Sequence, residues 1–498
     1  MMKPSVRTWD NPVLASINRV LFPIGATLVV FGTFMALPAV VEALAGNGDW
    51  KAFAEGASAA TIIGATILFA AHGGETDLSL REGYLLTVAM WIALPLVSAL
   101  PFWFSIERIS FTDAVFEAVS GLTTTGSTVF SGLDSMAPGL LIWRAFLQWL
   151  GGIGIIVMAV IVLPFLRVGG MQLYRMESSD RSEKIAPRAY HAMLSILVIY
   201  AALTTLCAVL YWFSGMTPFE AAVHAMTTLS TGGFSTSDGS IGHFQSAAIE
   251  WEAVVFMMLG SLPFALYVKF IKRGRFSVWS EDSQISVFIS LVVVAVMMSA
   301  FWLVSERGIA PLEALRSAAF NVVSVVTTTG FASGDFTTWG AFPIVFFFFL
   351  MFVGGCAGST AGGVKMFRFE LLAKEAIRQS QRLISPHAVY QTRLNDHPVD
   401  SDVVSSVMVF FFLLIVFLTG ATIMLGFSGL DFETSISAAV TAISNVGPGL
   451  GVMIGPAGNF ASLPDTAKWI LDICMIVGRL EYLTVAVVFL PLFWRDFA

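Results

Sequence analysis

Ten apolar runs, each about the length of a membrane span, partition this chain. A bilayer's hydrocarbon core is about 30 Å thick and an α-helix rises about 1.5 Å per residue, so a span needs about 20 apolar residues. The runs cover roughly 21–44, 56–72, 84–104, 139–166, 192–213, 249–271, 284–304, 341–364, 403–427 and 467–494. The first is long enough to remain as a span, so no cleavable leader is expected. Composition agrees. Of 498 residues, 56% are hydrophobic and only 12% charged, against about 25% charged in soluble proteins. A soluble enzyme is excluded, since so much apolar surface cannot be hidden in water. Disorder is excluded by 13% aromatic residues. With a net charge of −7 there is no basic excess for nucleic acid. Cys207, Cys356 and Cys474 are scattered through apolar segments with neither disulfide nor metal spacing.

Four shorter apolar stretches, near 112–125, 218–231, 314–328 and 433–446, lie between the runs. At about 14 residues each they are too short to span and suit half-helices that enter the membrane and return. With the N-terminus inside, about 20 of the 27 Lys and Arg residues fall on inner ends and loops. All four short stretches then dip in from the outside. Arg144, Arg316 and Arg479 remain within membrane segments.

The short stretches are copies of one another. DAVFEAVSGLTTTG from Asp113, EAAVHAMTTLSTGG from Glu220, SAAFNVVSVVTTTG from Ser317 and TSISAAVTAISNVG from Thr434 align without gaps and end on Gly126, Gly233, Gly330 and Gly447. A second landmark follows in each next run: LGG at 150–152, LGS at 259–261, VGG at 353–355 and VGR at 477–479. The unit is span, half-helix, glycine turn, span, repeated four times after an extra pair of spans. Irregular backbone at that depth is tolerated only where it is buried in protein or lines a water-filled path. Four such turns around an axis present rings of carbonyl oxygens able to replace the hydration shell of a potassium ion. The inward, partly negative helix ends also favour a cation. Glycine-packed turns in a transporter of another substrate remain the alternative.

These motifs resemble the TrkH/KtrB family of bacterial potassium uptake proteins, nearest its TrkH branch because of the extra N-terminal pair of spans. The resemblance is carried by TTTGST at 123–128, STGGFS at 230–235, TTTGF at 327–331, SNVGPGLG at 444–451, GGCAGSTAGGVKMFR at 354–368 and GRLE at 478–481. It implies a selectivity filter of Thr124, Thr125 and Gly126; Thr231, Gly232 and Gly233; Thr328, Thr329 and Gly330; and Asn445, Val446 and Gly447. It also implies homodimers with one pore per protomer, potassium as the substrate with no cofactor bound by the chain, and a bacterial inner-membrane location with cytoplasmic termini. A TrkA-like nucleotide-binding regulatory ring would dock on the inner surface, where KEAIRQSQRL at 374–383 reads as a basic amphipathic helix.

The segment Gly354–Gly363 holds Gly354, Gly355, Gly358, Gly362 and Gly363 with Ser359 and Thr360. Each glycine costs a continuous helix about 1 kcal/mol relative to alanine, so an unwound loop is predicted below the filter. The resemblance makes it an intramembrane gate, with Ala361 where many relatives carry a further glycine. A phosphate-binding loop does not fit, because Val364 separates Gly363 from Lys365 and no Ser or Thr follows. An intramembrane serine protease would need a histidine beside Ser359, and only His224 is deep enough. Arg479 occupies the slot of Gly152, Ser261 and Gly355. It is expected to repel cations or pin the loop, and otherwise to form an ion pair with Asp472 or Glu481. Glu117 and Arg316 are expected behind the filter. Asp238 and Asp335 stand at its mouth as cation attractors or solvated rim charges.

The expected fold is an all-α integral membrane protein of four tandem repeats around one pore, divided as 1–78, 79–188, 189–280, 281–400 and 401–498. The expected function is potassium uptake, down its gradient or by symport. A weakly selective cation channel is the near alternative and an intramembrane protease the distant one.

Overall fold

A computed structural model of the chain describes residues 12–71, 78–105, 109–159, 185–388, 390–395 and 397–495. The expected inner end of the fourth span, beyond residue 159, and the basic residues Lys3, Arg7, Arg108, Arg167, Arg175, Arg181 and Lys184 lie outside these. The described residues are overwhelmingly helical. Their only extended pairings are a hairpin of Arg393–Leu394 with His397–Pro398 and an isolated parallel bridge between Val353 and Val364.

Seven helical stretches are long and apolar enough to cross a bilayer: Ser16–Ala45, Trp50–Ala70, Leu80–Phe104, Pro138–Val157, His191–Phe213, Ser283–Arg307 and Ser401–Phe427. They answer to seven of the ten apolar runs. The other three are broken, and two of those breaks correct the expectation of continuous spans. In the sixth run, Ala247–Gly260 and Phe264–Arg273 meet at 89°. Pro263 stands at the bend, where it has no N–H to give and its ring displaces the preceding turn. In the tenth, Asp465–Leu480 stops at Glu481, whose φ is 64°, before Tyr482–Val488 resumes. The eighth stops at Leu350, and residues 351–365 are irregular up to Met366–Ile384. Here the glycines weaken the helix as predicted.

The four half-helices are Phe111–Leu122, Pro218–Leu229, Pro311–Val326 and Phe432–Ser444, of 12, 12, 16 and 13 residues. Local chemistry starts each one. Ser110 Oγ accepts from the Asp113 amide at 3.0 Å. Thr217 and Glu220 form a reciprocal capping box ahead of Pro218. Pro311 occupies a first-turn position, where its missing N–H costs nothing. Asp431 accepts from the Thr434 amide at 3.1 Å.

By packing, the chain forms two compact units. One comprises residues 1–115, 137–140 and 480–498, the other 116–136 and 141–479. In the first, Pro12–Phe34 packs closely on Trp50–Ala70, with Gly25 and Gly64 face to face: a Cβ on either would lie 2.8 Å from the other's carbonyl oxygen. Arg19 pairs with Glu82 at 2.7 Å in the same unit. In the second, Ile185–Phe213, Ser283–Arg307 and Ser401–Phe427 each pack on the half-helix that follows them. This unit contains all four glycine turns.

Candidate functional site

Each half-helix ends in the same way. The residue two before the closing glycine adopts left-handed backbone: Thr124, Thr231, Thr328 and Asn445, at φ of 52°, 51°, 57° and 55°. Its amide donates three residues back and the next amide donates five residues back, as in Thr124 to Gly121 and Thr125 to Ser120. All four turns repeat this pair of bonds, at 2.8–3.3 Å. This is the Schellman cap, usually built on glycine. Left-handed backbone costs a side-chain-bearing residue about 1–2 kcal/mol, and three of these four are β-branched threonines. The cap bonds and the surrounding protein hold them there. The closing glycines follow at φ of 88°, 77°, 82° and 112°.

The four turns form a closed ring. A Cβ on Gly126 would strike the carbonyl of Gly232, one on Gly233 that of Thr329, and one on Gly330 that of Val446. A Cβ on Gly447 would lie 2.8 Å from the carbonyl oxygen of Thr125. Each glycine thus faces the carbonyl just before the next repeat's glycine, and the fourth returns to the first. Only residues without Cβ permit this approach. Asn445 Nδ2 donates to Thr125 Oγ1 at 2.9 Å, and Ser127 Oγ to the Gly447 carbonyl at 2.7 Å, which ties the fourth turn to the first. All four glycines line one cavity of about 190 Å³. The second-landmark glycines also have a visible purpose. Gly151, Gly260 and Gly478 lie against the carbonyls of Leu122, Leu229 and Ile443, so each second span can reach the end of its own half-helix.

Polar groups behind the ring include two that sequence reasoning missed, Gln148 and Glu250. Gln148 holds the second turn from both sides, donating to the Gly232 carbonyl at 2.6 Å and accepting from the Phe234 amide at 3.1 Å. Buried Glu117 pairs with buried Arg144 at 2.7 Å. Arg316 pairs with Glu250 at 3.2 Å. Asp238 and Asp335 are engaged locally. The Asp238 carboxylate accepts from the amides of Gly132 and Leu133 at 2.7 and 3.2 Å. Asp335 accepts from Thr337 at 2.9 Å. No sequence signal marks Gln148, because a glutamine in an apolar run acquires its meaning only from what packs on it.

The loop 351–365 is tethered to the ends of three half-helices. Thr360 Oγ1 donates to the carbonyls of Gly260 and Leu229 at 2.9 and 3.0 Å. The Gly362 amide donates to Thr328 Oγ1 at 2.6 Å, and the Gly363 amide to the Ser444 carbonyl at 2.7 Å. Gly354 pairs back to Val364, Cys356 to the Ser261 carbonyl, and the Gly358 carbonyl accepts from Phe264. Arg479, 3% exposed, donates from Nη2 to the Thr360 carbonyl at 2.9 Å. Its Nε and Nη1 are buried with no hydrogen-bond partner among the described residues, and so are both carboxylate oxygens of Asp472. The expected Arg479–Asp472 pair is therefore not made. Ser359 donates to the Cys356 carbonyl at 2.6 Å, while His224 is engaged by Glu220 and Ser235. The serine–histidine pair a protease requires is not formed between them.

A family model described as TrkH, cation transport protein, matches residues 49–495. The chain belongs to this family. Among its TrkH-family relatives, the Trk system potassium uptake protein TrkI of Halomonas elongata is 43% identical over 471 residues, covering 94% of this chain and 95% of that protein. TrkH of Escherichia coli K12 is 37% identical over 480 residues, covering 95% and 98%. The crystal structure of the potassium transporter TrkH from Vibrio parahaemolyticus matches with a TM-score of 0.89 at 35% identity, over 96% of this chain and 100% of that one. Membership makes this a multi-pass, all-α membrane transporter of the Trk type and not an enzyme.

Proposed function

We propose that this TrkH-family protein takes up potassium through the ring of four turns. Thr124–Gly126, Thr231–Gly233, Thr328–Gly330 and Asn445–Gly447 supply the coordinating carbonyls. The observation that carries the reading is the closed approach of each glycine to the carbonyl before the next. It sets backbone oxygens from four chain segments around one small space, and carbonyl oxygens in such a ring replace a desolvated cation's water. The names of the relatives, potassium uptake proteins, supply the ion. Below the ring, Gly354, Gly355, Gly358, Ser359, Thr360, Gly362 and Gly363 form the gate with Arg479. Its tethers are single hydrogen bonds, so the loop can release one bond at a time.

The same reading puts the protein in the bacterial inner membrane as a homodimer with cytoplasmic termini. A TrkA-like nucleotide-binding partner controls the gate from the inner side, where Met366–Ile384 carries Lys374, Arg378 and Arg382. The test is flux into liposomes containing purified protein, with potassium, sodium and a pH gradient varied separately. Potassium uptake that far exceeds sodium uptake is expected. Equal uptake of both ions would replace the proposal with a weakly selective cation channel, and acceleration by an inward proton gradient would add symport.

A further inference from the structure

The fifth residue of each aligned window is Glu117, His224, Asn321 or Ala438. These four residue types share no chemistry in sequence, yet the first three reach the same place. Glu117 accepts from Thr128 Oγ1 at 3.0 Å and from the Val129 amide at 3.0 Å. His224 Nδ1 lies 2.8 Å from the Glu220 carbonyl. A carbonyl can only accept, so in the neutral ring Nδ1 bears the proton and Nε2 accepts from Ser235 Oγ, 2.9 Å away. Asn321 Nδ2 donates to Ser333 Oγ at 2.8 Å and to the Ser317 carbonyl at 2.9 Å. Thr128 and Ser235 stand two residues beyond the ring glycine of their repeat; Val129 and Ser333 stand three beyond. Each of the three side chains therefore bridges the middle of a half-helix to the strand that leaves the ring.

Ala438 has no polar atom to do this. The fourth exit strand folds back on itself instead, the Gly449 amide donating to the Ile454 carbonyl at 2.7 Å, a bond that does not fasten it to its half-helix. The first bridge is further braced by Arg144, which donates to Glu117 at 2.7 Å, to Thr128 Oγ1 at 3.1 Å and to the Ser235 carbonyl at 3.0 Å. It thereby joins the exits of the first and second turns. The ring carbonyls lie on the short stretch between the half-helix end and the exit strand. A stretch fixed at both ends keeps its carbonyls at one radius, whereas one fixed at a single end can adjust to a smaller ion.

From this we infer that Glu117, His224 and Asn321 are positioning residues that set the ring's discrimination between potassium and sodium by clamping three exit strands, and that the fourth strand is the compliant one. The inference rests on the proposed filter. The third clamp is the one to test, because Asn321 and Ser333 are neutral and their removal strands no buried charge. Asn321→Ala should lower the potassium-to-sodium uptake ratio at least about fivefold and Ser333→Ala by up to about fivefold, the scale one lost hydrogen bond sets. Protein amount and maximal potassium uptake should stay near those of the parent. The double variant should match Asn321→Ala alone, since Ser333→Ala removes one of the contacts that Asn321→Ala already removes and leaves the Ser333 amide donating to Asn321 Oδ1 at 3.4 Å. Ala438→Ser should leave the ratio unchanged.

Gly330→Ser, measured alongside, separates the clamp from the filter. If it collapses the ratio while Asn321→Ala and Ser333→Ala do not change it, the clamp is refuted and the filter stands. If Gly330→Ser also leaves the ratio unchanged, the filter reading fails and the clamp falls with it. Additive losses in the double variant, or an equal loss in Ala438→Ser, would overturn the clamp in favour of a general sensitivity of the half-helices.

Discussion

Replacing Arg479 with alanine tests the gate most directly. Among the described residues Arg479 makes one hydrogen bond, 2.9 Å to the Thr360 carbonyl, and leaves Nε and Nη1 unpartnered in a buried site. A charge-assisted bond of this kind contributes about 1.5–3 kcal/mol. Its loss should raise the fraction of open loops about tenfold to a hundredfold, at about 1.4 kcal/mol per factor of ten. The lower end is expected, because the bond from the Thr360 hydroxyl, shared between the Leu229 and Gly260 carbonyls, and those of Gly362 and Gly363 persist. Insertion should not suffer. An arginine at the centre of a span costs about 2.5–3.5 kcal/mol on insertion scales, and Asp472, whose carboxylate oxygens have no hydrogen-bond partner among the described residues, does not offset it. The assay is rubidium uptake into vesicles, normalised to inserted protein by quantitative blot, with and without the regulatory partner. Faster uptake that depends less on the partner, at unchanged ion preference, is the expected result. Slower or unchanged uptake by correctly inserted protein would refute the gate assignment and leave Arg479 a packing residue.

Other consequences are as concrete. Gly330→Ser introduces a Cβ at φ 82° against the Val446 carbonyl, with the Pro448 ring 3.0 Å away; potassium preference should fall by at least tenfold, read as relative rubidium and sodium uptake. Gln148→Ala removes its two bonds to the second turn and should destabilise the protein by about 1–3 kcal/mol, measured as a lower melting temperature in detergent, with weakened ion preference. At the inner surface, hydrogen bonds from Arg378 Nη2 and Nε, at 2.5 and 2.7 Å, hold the Glu375 carboxyl down at about 2. A depressed carboxylate adds stability above its unfolded value of about 4.5 and loses it as pH falls towards 2. Proteolysis of the segment around Thr392, which also donates to Glu375, should therefore accelerate between pH 4.5 and pH 2 and be insensitive to pH above 5. In Arg378→Ala the acceleration between pH 4.5 and pH 2 should shrink, because the folded-state carboxyl returns towards its unfolded value.

The spans, the half-helices and the ring glycines were legible from residues alone, because each rests on a local property. Apolar length decides what a bilayer accepts, and Asp, Ser, Thr and Pro start helices wherever they stand. A glycine thirteen residues into four matching windows marks a turn that side chains resist. The bend at Pro263 is local in the same sense, although the apolar run around it concealed the consequence. Tertiary structure alone decided the rest. Threonine ordinarily avoids positive φ, yet Thr124, Thr231 and Thr328 adopt it because the protein around each turn holds them there. Leu480 and Glu481 carry no breaker, and still the tenth run ends between them. Asn445 meets Thr125 across 320 positions of chain, and Arg479 meets Thr360 across 119. The fifth window residues look unrelated until three exit strands are seen beside them. A residue's own chemistry travels with it in sequence, but the partner that gives that chemistry a task is chosen by the closing of the ring.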